Sequence, residues 1–189
     1  MAGEQPSYRV VEKFPDLEVR EYAAYLVAET EASGTRESAG NAGFRVLAAY
    51  IFGKNRGENK IAMTAPVTQA EGQRIAMTAP VTQARRDGEA GGAPWVVQFM
   101  MPSGFTLETL PEPLDPAVRF REVPARRVAA LTYSGTWAES RYLEHLARLR
   151  EAMRREGLEP AGEPVWARYD PPFMPWFLRR NEILIELAG

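Results

Sequence analysis

Val27-Ala-Glu-Thr-Glu-Ala-Ser-Gly-Thr35 and Val128-Ala-Ala-Leu-Thr-Tyr-Ser-Gly-Thr136 are identical at five of nine positions and stand 101 residues apart. Each follows a strand-like stretch, 17–22 before the first and 126–129 before the second, and each leads at once into a helical pattern. Ser-Gly-Thr alone is common turn and cap chemistry, so the weight falls on the matching order of elements on both sides. That order reads as an internal duplication of a strand–helix–strand–strand unit. The expected organisation is one domain, 1–189, with pseudo-repeat halves at about 7–102 and 118–187.

Working outward, the spacing predicts a first helix over 36–52, with Gly40, Phe44, Leu47, Ala48 and Ile51 on one face and Gly53 as its stop. A second is predicted over 137–156, capped by Thr136 and followed by Gly157, with Ala138, Tyr142, Leu146, Leu149 and Met153 as its apolar stripe. Residues 8–30 alternate across a break at Pro15-Asp16, and 95–101, 163–169 and 182–187 read as further strands. Segments 86–94 and 103–118 are rich in Gly, Pro and acidic residues and read as loops. Two helices with seven or more short antiparallel strands make an α+β domain.

A second repeat is closer and tighter. Residues 60–70 and 74–84 match at ten of eleven positions around Ile-Ala-Met-Thr-Ala-Pro-Val-Thr-Gln-Ala. A proline inside each run argues for an edge or bulged position. The copies either pair as a hairpin or leave one looped out; both are expected to be strand-like, with Met63 and Met77 directed inward as adaptable core fillers.

Composition narrows the chemistry. The 189 residues are 45% hydrophobic and 25% charged, with a net charge of −2 and no cysteine. This is the balance of a globular chain, without the basic field that attracts nucleic acid. Thiolate nucleophiles and Cys-containing metal sites are excluded, and a single histidine rules out multi-histidine sites within one chain. No secretory pattern is read at the N-terminus, and the longest apolar run, about 46–53, is far short of the ~20 residues of a membrane span. The expected location is cytoplasmic. His145 lies among Glu144, Arg148 and Arg150 and reads as a surface residue at the border of its helix's apolar stripe. No phosphate-binding glycine motif and no convincing nucleophile are present, so no catalytic residues and no metal site are expected.

One segment stands apart: Tyr169-Asp-Pro-Pro-Phe-Met-Pro-Trp-Phe-Leu-Arg-Arg-Asn-Glu182. Its prolines stiffen a loop bearing Phe173, Met174, Trp176 and Phe177, with Arg179 and Arg180 behind them. A rigid aromatic loop with two guanidinium groups suits a flat apolar ligand carrying carboxylates. A structural loop whose arginines pair with nearby carboxylates explains the same composition and is favoured on composition alone.

Several motifs together carry a resemblance: residues 8–22, Phe44-Arg-Val-Leu-Ala-Ala-Tyr-Ile-Phe-Gly-Lys-Asn55, Lys60-Ile-Ala-Met-Thr-Ala-Pro-Val67, and the close from Tyr169-Asp-Pro-Pro through Arg179-Arg-Asn-Glu182. In these the chain resembles the SOUL haem-binding protein family over about 7–187, its bacterial members more than its animal ones. The resemblance implies a pseudo-twofold fold: a distorted antiparallel β-barrel flanked by two α-helices, similar to gyrase inhibitor-like domains. It also implies non-covalent binding of haem or a related tetrapyrrole in a shallow apolar groove, for buffering or carriage. The positions carried over are Asn41, Phe44, Arg45, Ala48 and Ala49 on the first helix, and Tyr169, Phe173, Met174 and Trp176 on the loop. Arg179 and Arg180 are expected to meet propionates. Animal members carry a basic residue on this helix, where this chain has Ala48-Ala49 with only Arg45 nearby. Haem is expected to be held mainly by its porphyrin faces and propionates, with no more than weak ligation from Tyr169, Met174 or water and none from His145. The expected partner is thus a tetrapyrrole or another flat hydrophobic small molecule, with no nucleic acid. The competing readings are an effector- or drug-binding domain and a cofactor-free enzyme using a Glu or Tyr in the barrel cleft.

Overall fold

In the computed structural model, which describes residues 3–57, 72–85 and 94–189, both Ser-Gly-Thr turns do the same job. Gly34 has φ +112° and Gly135 has φ +132°, in the left-handed region that a side chain disfavours. The last strand of each half holds the turn carbonyl: Trp95 Nε1 donates to Gly34 O and Asn181 Nδ2 to Gly135 O, both at 3.2 Å. The chain therefore leaves its strand at the same angle twice and enters a helix twice.

The elements are β1 (Tyr8–Lys13), β2 (Glu18–Tyr22), β3 (Tyr25–Ala32), α1 (Arg36–Ile51), β4 (Val81–Arg85), β5 (Trp95–Met100), β6 (Arg119–Val123), β7 (Arg126–Ser134), α2 (Glu139–Arg155), β8 (Val165–Arg168) and β9 (Arg180–Glu186). The strands form one antiparallel sheet in the order β1-β2-β7-β9-β8-β4-β5-β3-β6. Read from the β8–β4 junction outward, the two sides correspond: β8, β9, β7 on one, β4, β5, β3 on the other. The strand preceding each unit is exchanged, β2 lying on β7 and β6 on β3. This is the expected pseudo-twofold α+β architecture. The sheet curls into a half-barrel, with β1 and β6 at its two edges.

Both helices cover one face of the sheet. Alternation along β2 sends Leu17 and Val19 under α2, where they join Leu131, Tyr133, Tyr142, Leu149, Trp166 and Ile183. The other half packs Leu47, Tyr50 and Ile51 of α1 on Val97, Phe99 and Met101. Each fully buried aliphatic side chain contributes about 1.5–3 kcal/mol. α1 carries Gly40 and Gly43 on its buried face, and a Cβ at Gly43 would lie 2.6 Å from Val97 Cγ2. Only glycine allows that approach.

Helix ends follow the expected signals with one exception. Thr35 caps α1, its Oγ1 accepting from Ser38 N at 3.1 Å. Thr136 does not cap α2: the helix begins after Ala138 with no side-chain cap. The intervening Trp137 is drawn to the sheet, its Nε1 donating to Asn181 Oδ1 at 2.9 Å, which keeps 136–138 extended.

Two further expectations are corrected. The second copy of the short repeat is strand only from Val81 to Arg85; residues 74–80 run as irregular chain, and Met77 is 41% exposed rather than directed inward. Pro80, without an N–H to donate, marks where the ladder begins. The first copy, with Met63, lies outside the described residues, as does most of the 86–94 loop. His145 is not a surface residue. It is 5% exposed, stacked on Tyr133 with ring centroids 4.0 Å apart, and its Nδ1–H donates to Arg141 O at 2.7 Å. No helix among the described residues is long and apolar enough to cross a membrane.

Candidate functional site

The arginines expected at a ligand instead hold the aromatic loop. Glu182, fully buried on β9, accepts from Arg20 Nη1 at 2.9 Å and Nη2 at 3.0 Å, and from Arg180 Nη2 at 2.7 Å. Tyr169 donates its hydroxyl to the same carboxylate at 2.7 Å, and Thr132 does so at 3.0 Å. Burial pushes the Glu182 carboxyl up, but the hydrogen bonds and charge of Arg20, joined by Arg180 and Tyr169, outweigh it and hold it below the ordinary carboxylate range. Burial and the neighbouring Glu182 push the Tyr169 hydroxyl well above a phenol's usual value. Glu182 is thus a structural anion, opposite in tuning to a general acid with a raised pKa. Arg179 is engaged too: Nε donates to Met174 O at 2.9 Å, Nη2 to Pro172 O at 2.6 Å, and the guanidinium lies 4.3 Å from the centroid of Trp137. Both guanidiniums are turned inward to the loop and its anchor.

The loop so fixed forms one wall of a cavity of about 520 Å³. The opposite wall is α1 through Asn41 and Phe44. Thr78, Ala79 and Val81 form the floor with Met77 beside them, and Trp137 closes one side. The lining is mainly apolar, and the volume falls in the range of small-molecule sites. Phe44, half-buried, is tilted against Phe99 with centroids 5.3 Å apart, which fixes its ring between core and cavity. Phe173 stands at the rim and is 87% exposed.

Of the residues named from sequence, the fold brings Asn41, Phe44, Tyr169 and Phe173 to this wall. Arg45 points to solvent, and Ala48 packs in the core beneath α1. Ala49, Met174, Trp176, Arg179 and Arg180 are likewise not in the wall. Trp176 is exposed on the loop, edge-on to Phe177. The Tyr169 oxygen is already committed to Glu182. Sequence reasoning missed Trp137, the 77–81 segment and Arg168. Trp137 had a signal: a large ring directly after the duplicated turn, with a polar Nε1 that needs a hydrogen-bond acceptor when buried.

Arg168 is the cation of this wall. Its guanidinium lies 5.1 Å from the Trp137 centroid and 4.9 Å from that of Trp166. Behind it, buried Arg36 stacks on Tyr142 at 3.8 Å and on Trp166 at 4.8 Å, and reaches Glu139 at 3.3 Å. Burial, then the charge of Arg36, lowers the Arg168 pKa from its ordinary value.

The site is thus an apolar cavity between α1 and a rigid loop, on the helix-covered face of a half-barrel. The chain belongs to the SOUL heme-binding protein family, whose model matches residues 3–186. No curated protein matches it in sequence. Among solved structures it is similar to the EcmrR C-terminal domain, at 12% identity and TM-score 0.63, covering 96% of this chain and 98% of that one. It is also similar to an uncharacterized conserved protein from Listeria innocua (11% identity, TM-score 0.62, 92% of each chain). A hydrolase from the same organism is comparable (11% identity, TM-score 0.58, 94% of each chain). At such identities the likeness is one of fold.

Proposed function

We propose that this protein binds haem or a related tetrapyrrole, non-covalently and without transforming it, in the cavity between α1 and the 169–173 loop, for buffering or carriage. The observation that carries the reading is the cavity itself: about 520 Å³ and mainly apolar, between Phe44 and the proline-stiffened loop of a SOUL-family chain. Phe44, Trp137 and Phe173 supply ring faces for a flat macrocycle, and dispersion with apolar burial supplies most of the affinity. A bound haem would bring a redox-active iron and a strong visible chromophore. The wall offers that iron no imidazole, because His145 is locked under α2. The protein's own contribution is to hold the faces and exclude water.

Haemin titration followed by the Soret band tests this. Phe44→Asp sets a charge against the apolar faces and is expected to weaken binding by more than about 1 kcal/mol, with the circular dichroism unchanged. Unchanged affinity in the folded variant places the ligand elsewhere. A second reading, an effector site, is favoured by a separate cavity of about 380 Å³ on the sheet face away from the helices, lined by charged groups such as Glu29, Arg121, Arg126 and Glu163. A ligand there is indifferent to Phe44→Asp and sensitive to Arg126→Met.

A further inference from the structure

Arg168 is a half-buried cation without an anion among the described residues. It makes no ion pair and no hydrogen bond among the described residues, although it lines the cavity between two indole faces. Other shielded guanidiniums have partners among the described residues: Arg20 and Arg180 share Glu182, Arg36 has Glu139, and Arg179 donates to the carbonyls of Met174 and Pro172. The carboxylate in the wall, Asp170, is turned away, its Oδ2 accepting from Arg180 N at 2.6 Å. Two cations, Arg36 and Arg168, thus flank Trp166 with one largely exposed carboxylate between them. Glycine at 40 leaves room for the guanidinium under α1, since a Cβ there would come 2.7 Å from Gln83 Oε1 and 3.1 Å from Arg168 Nη2. A partly desolvated, unpaired charge is costly unless something completes it, and a planar guanidinium is completed best by a carboxylate in a bidentate pair.

We infer that the ligand of this cavity is an acid, and that Arg168 is the subsite that receives its carboxylate while the aromatic walls hold its flat apolar body. The inference rests on the cavity being the ligand site. It assigns to β8 the cationic role that the sequence suggested for the loop arginines. A guanidinium keeps its proton in a protein, so the subsite is charged.

The test compares each acid with its neutral ester: protoporphyrin IX against its dimethyl ester, and 1-pyrenebutyrate against its methyl ester, by fluorescence on the full chain. In the wild type the acid of at least one pair is expected to bind about ten-fold tighter or more, the size of a charge-assisted hydrogen-bonded pair. Arg168→Met and Arg168→Gln are both expected to erase that difference while ester affinity and circular dichroism stay as they were. Acid preference for pyrenebutyrate alone, lost in both variants, supports the subsite and overturns the tetrapyrrole reading. Equal binding of porphyrin acid and ester with no preference in the pyrene pair, or a preference that survives in a folded variant, overturns the subsite and leaves the tetrapyrrole reading standing. Binding of none of the four overturns both.

Discussion

β8 and β9 carry two arginine clusters on opposite faces, and the clusters are built on opposite principles. Register pairs Ala167 with Glu182 and Arg168 with Asn181, so alternation sends Glu182 to the face away from the helices and Arg168 to the face beneath them. On the first face Arg20 and Arg180 converge on one buried carboxylate that also accepts two hydroxyls. On the second, Arg36 and Arg168 stack on tryptophan, and Arg168 meets no carboxylate among the described residues. The same residue type thus serves two ends. Where the described residues supply the counter-charge the arginines make structure, and where they do not, beside a cavity, Arg168 is the cation proposed to receive a ligand.

Breaking the first cluster should have the largest effect. Glu182→Gln leaves two guanidiniums facing a neutral amide, and truncating one partner of a buried pair costs about 3–5 kcal/mol. Denaturant unfolding should show a loss of that order, and a loss below about 1 kcal/mol would refute the structural role. The next effect separates the two helices. His145→Ala removes a ring stacked on Tyr133 under α2 and should cost about 2 kcal/mol, while haemin titration stays unchanged because His145 is outside the cavity wall.

Acid sharpens the contrast. The Glu182 carboxyl is held below its ordinary range in the folded protein, so its contribution is complete above that range, near about pH 4, and fades as pH falls through the lowered folded value. The stability gap between wild type and Glu182→Gln should therefore close as pH drops below about 4; a gap that widens contradicts the assignment. The smallest effect belongs to the second cluster. Arg168→Met removes a cation with no ion-pair partner among the described residues and keeps an apolar stem against the indoles, so stability should shift by less than about 1 kcal/mol in thermal unfolding. A large loss would mean that Arg168 is structural after all.

The fold was largely legible because its signals are local. The repeated Ser-Gly-Thr turn, the stripe at Tyr142, Leu146, Leu149 and Met153, and the break at Pro15 each act over a few residues. The site was legible only in part. Phe44 and Tyr169 were visible through resemblance, yet Arg168 draws its meaning from what it lacks, and a missing partner has no sequence pattern. Arg180 was expected at a propionate because the cluster that holds it, Glu182 two residues on and Arg20 sharing that carboxylate from the other end of the chain, forms only once β2 lies on β7 and β7 on β9. His145 misled for a related reason: Tyr133 reaches across from β7 to stack on it, which draws it into the core from the edge of the stripe. Met77 was misread because Pro80 delays the strand past it.

The central claim is that the ligand sits on the helix-covered face, between α1 and the loop. Amide chemical-shift mapping with protoporphyrin IX tests it most directly, because a porphyrin ring current reaches only its neighbours. The account predicts perturbations centred on Asn41, Phe44, Val81, Trp137 and Arg168. Perturbations centred instead on Glu29, Arg121, Arg126 and Glu163, on the opposite face, would contradict it.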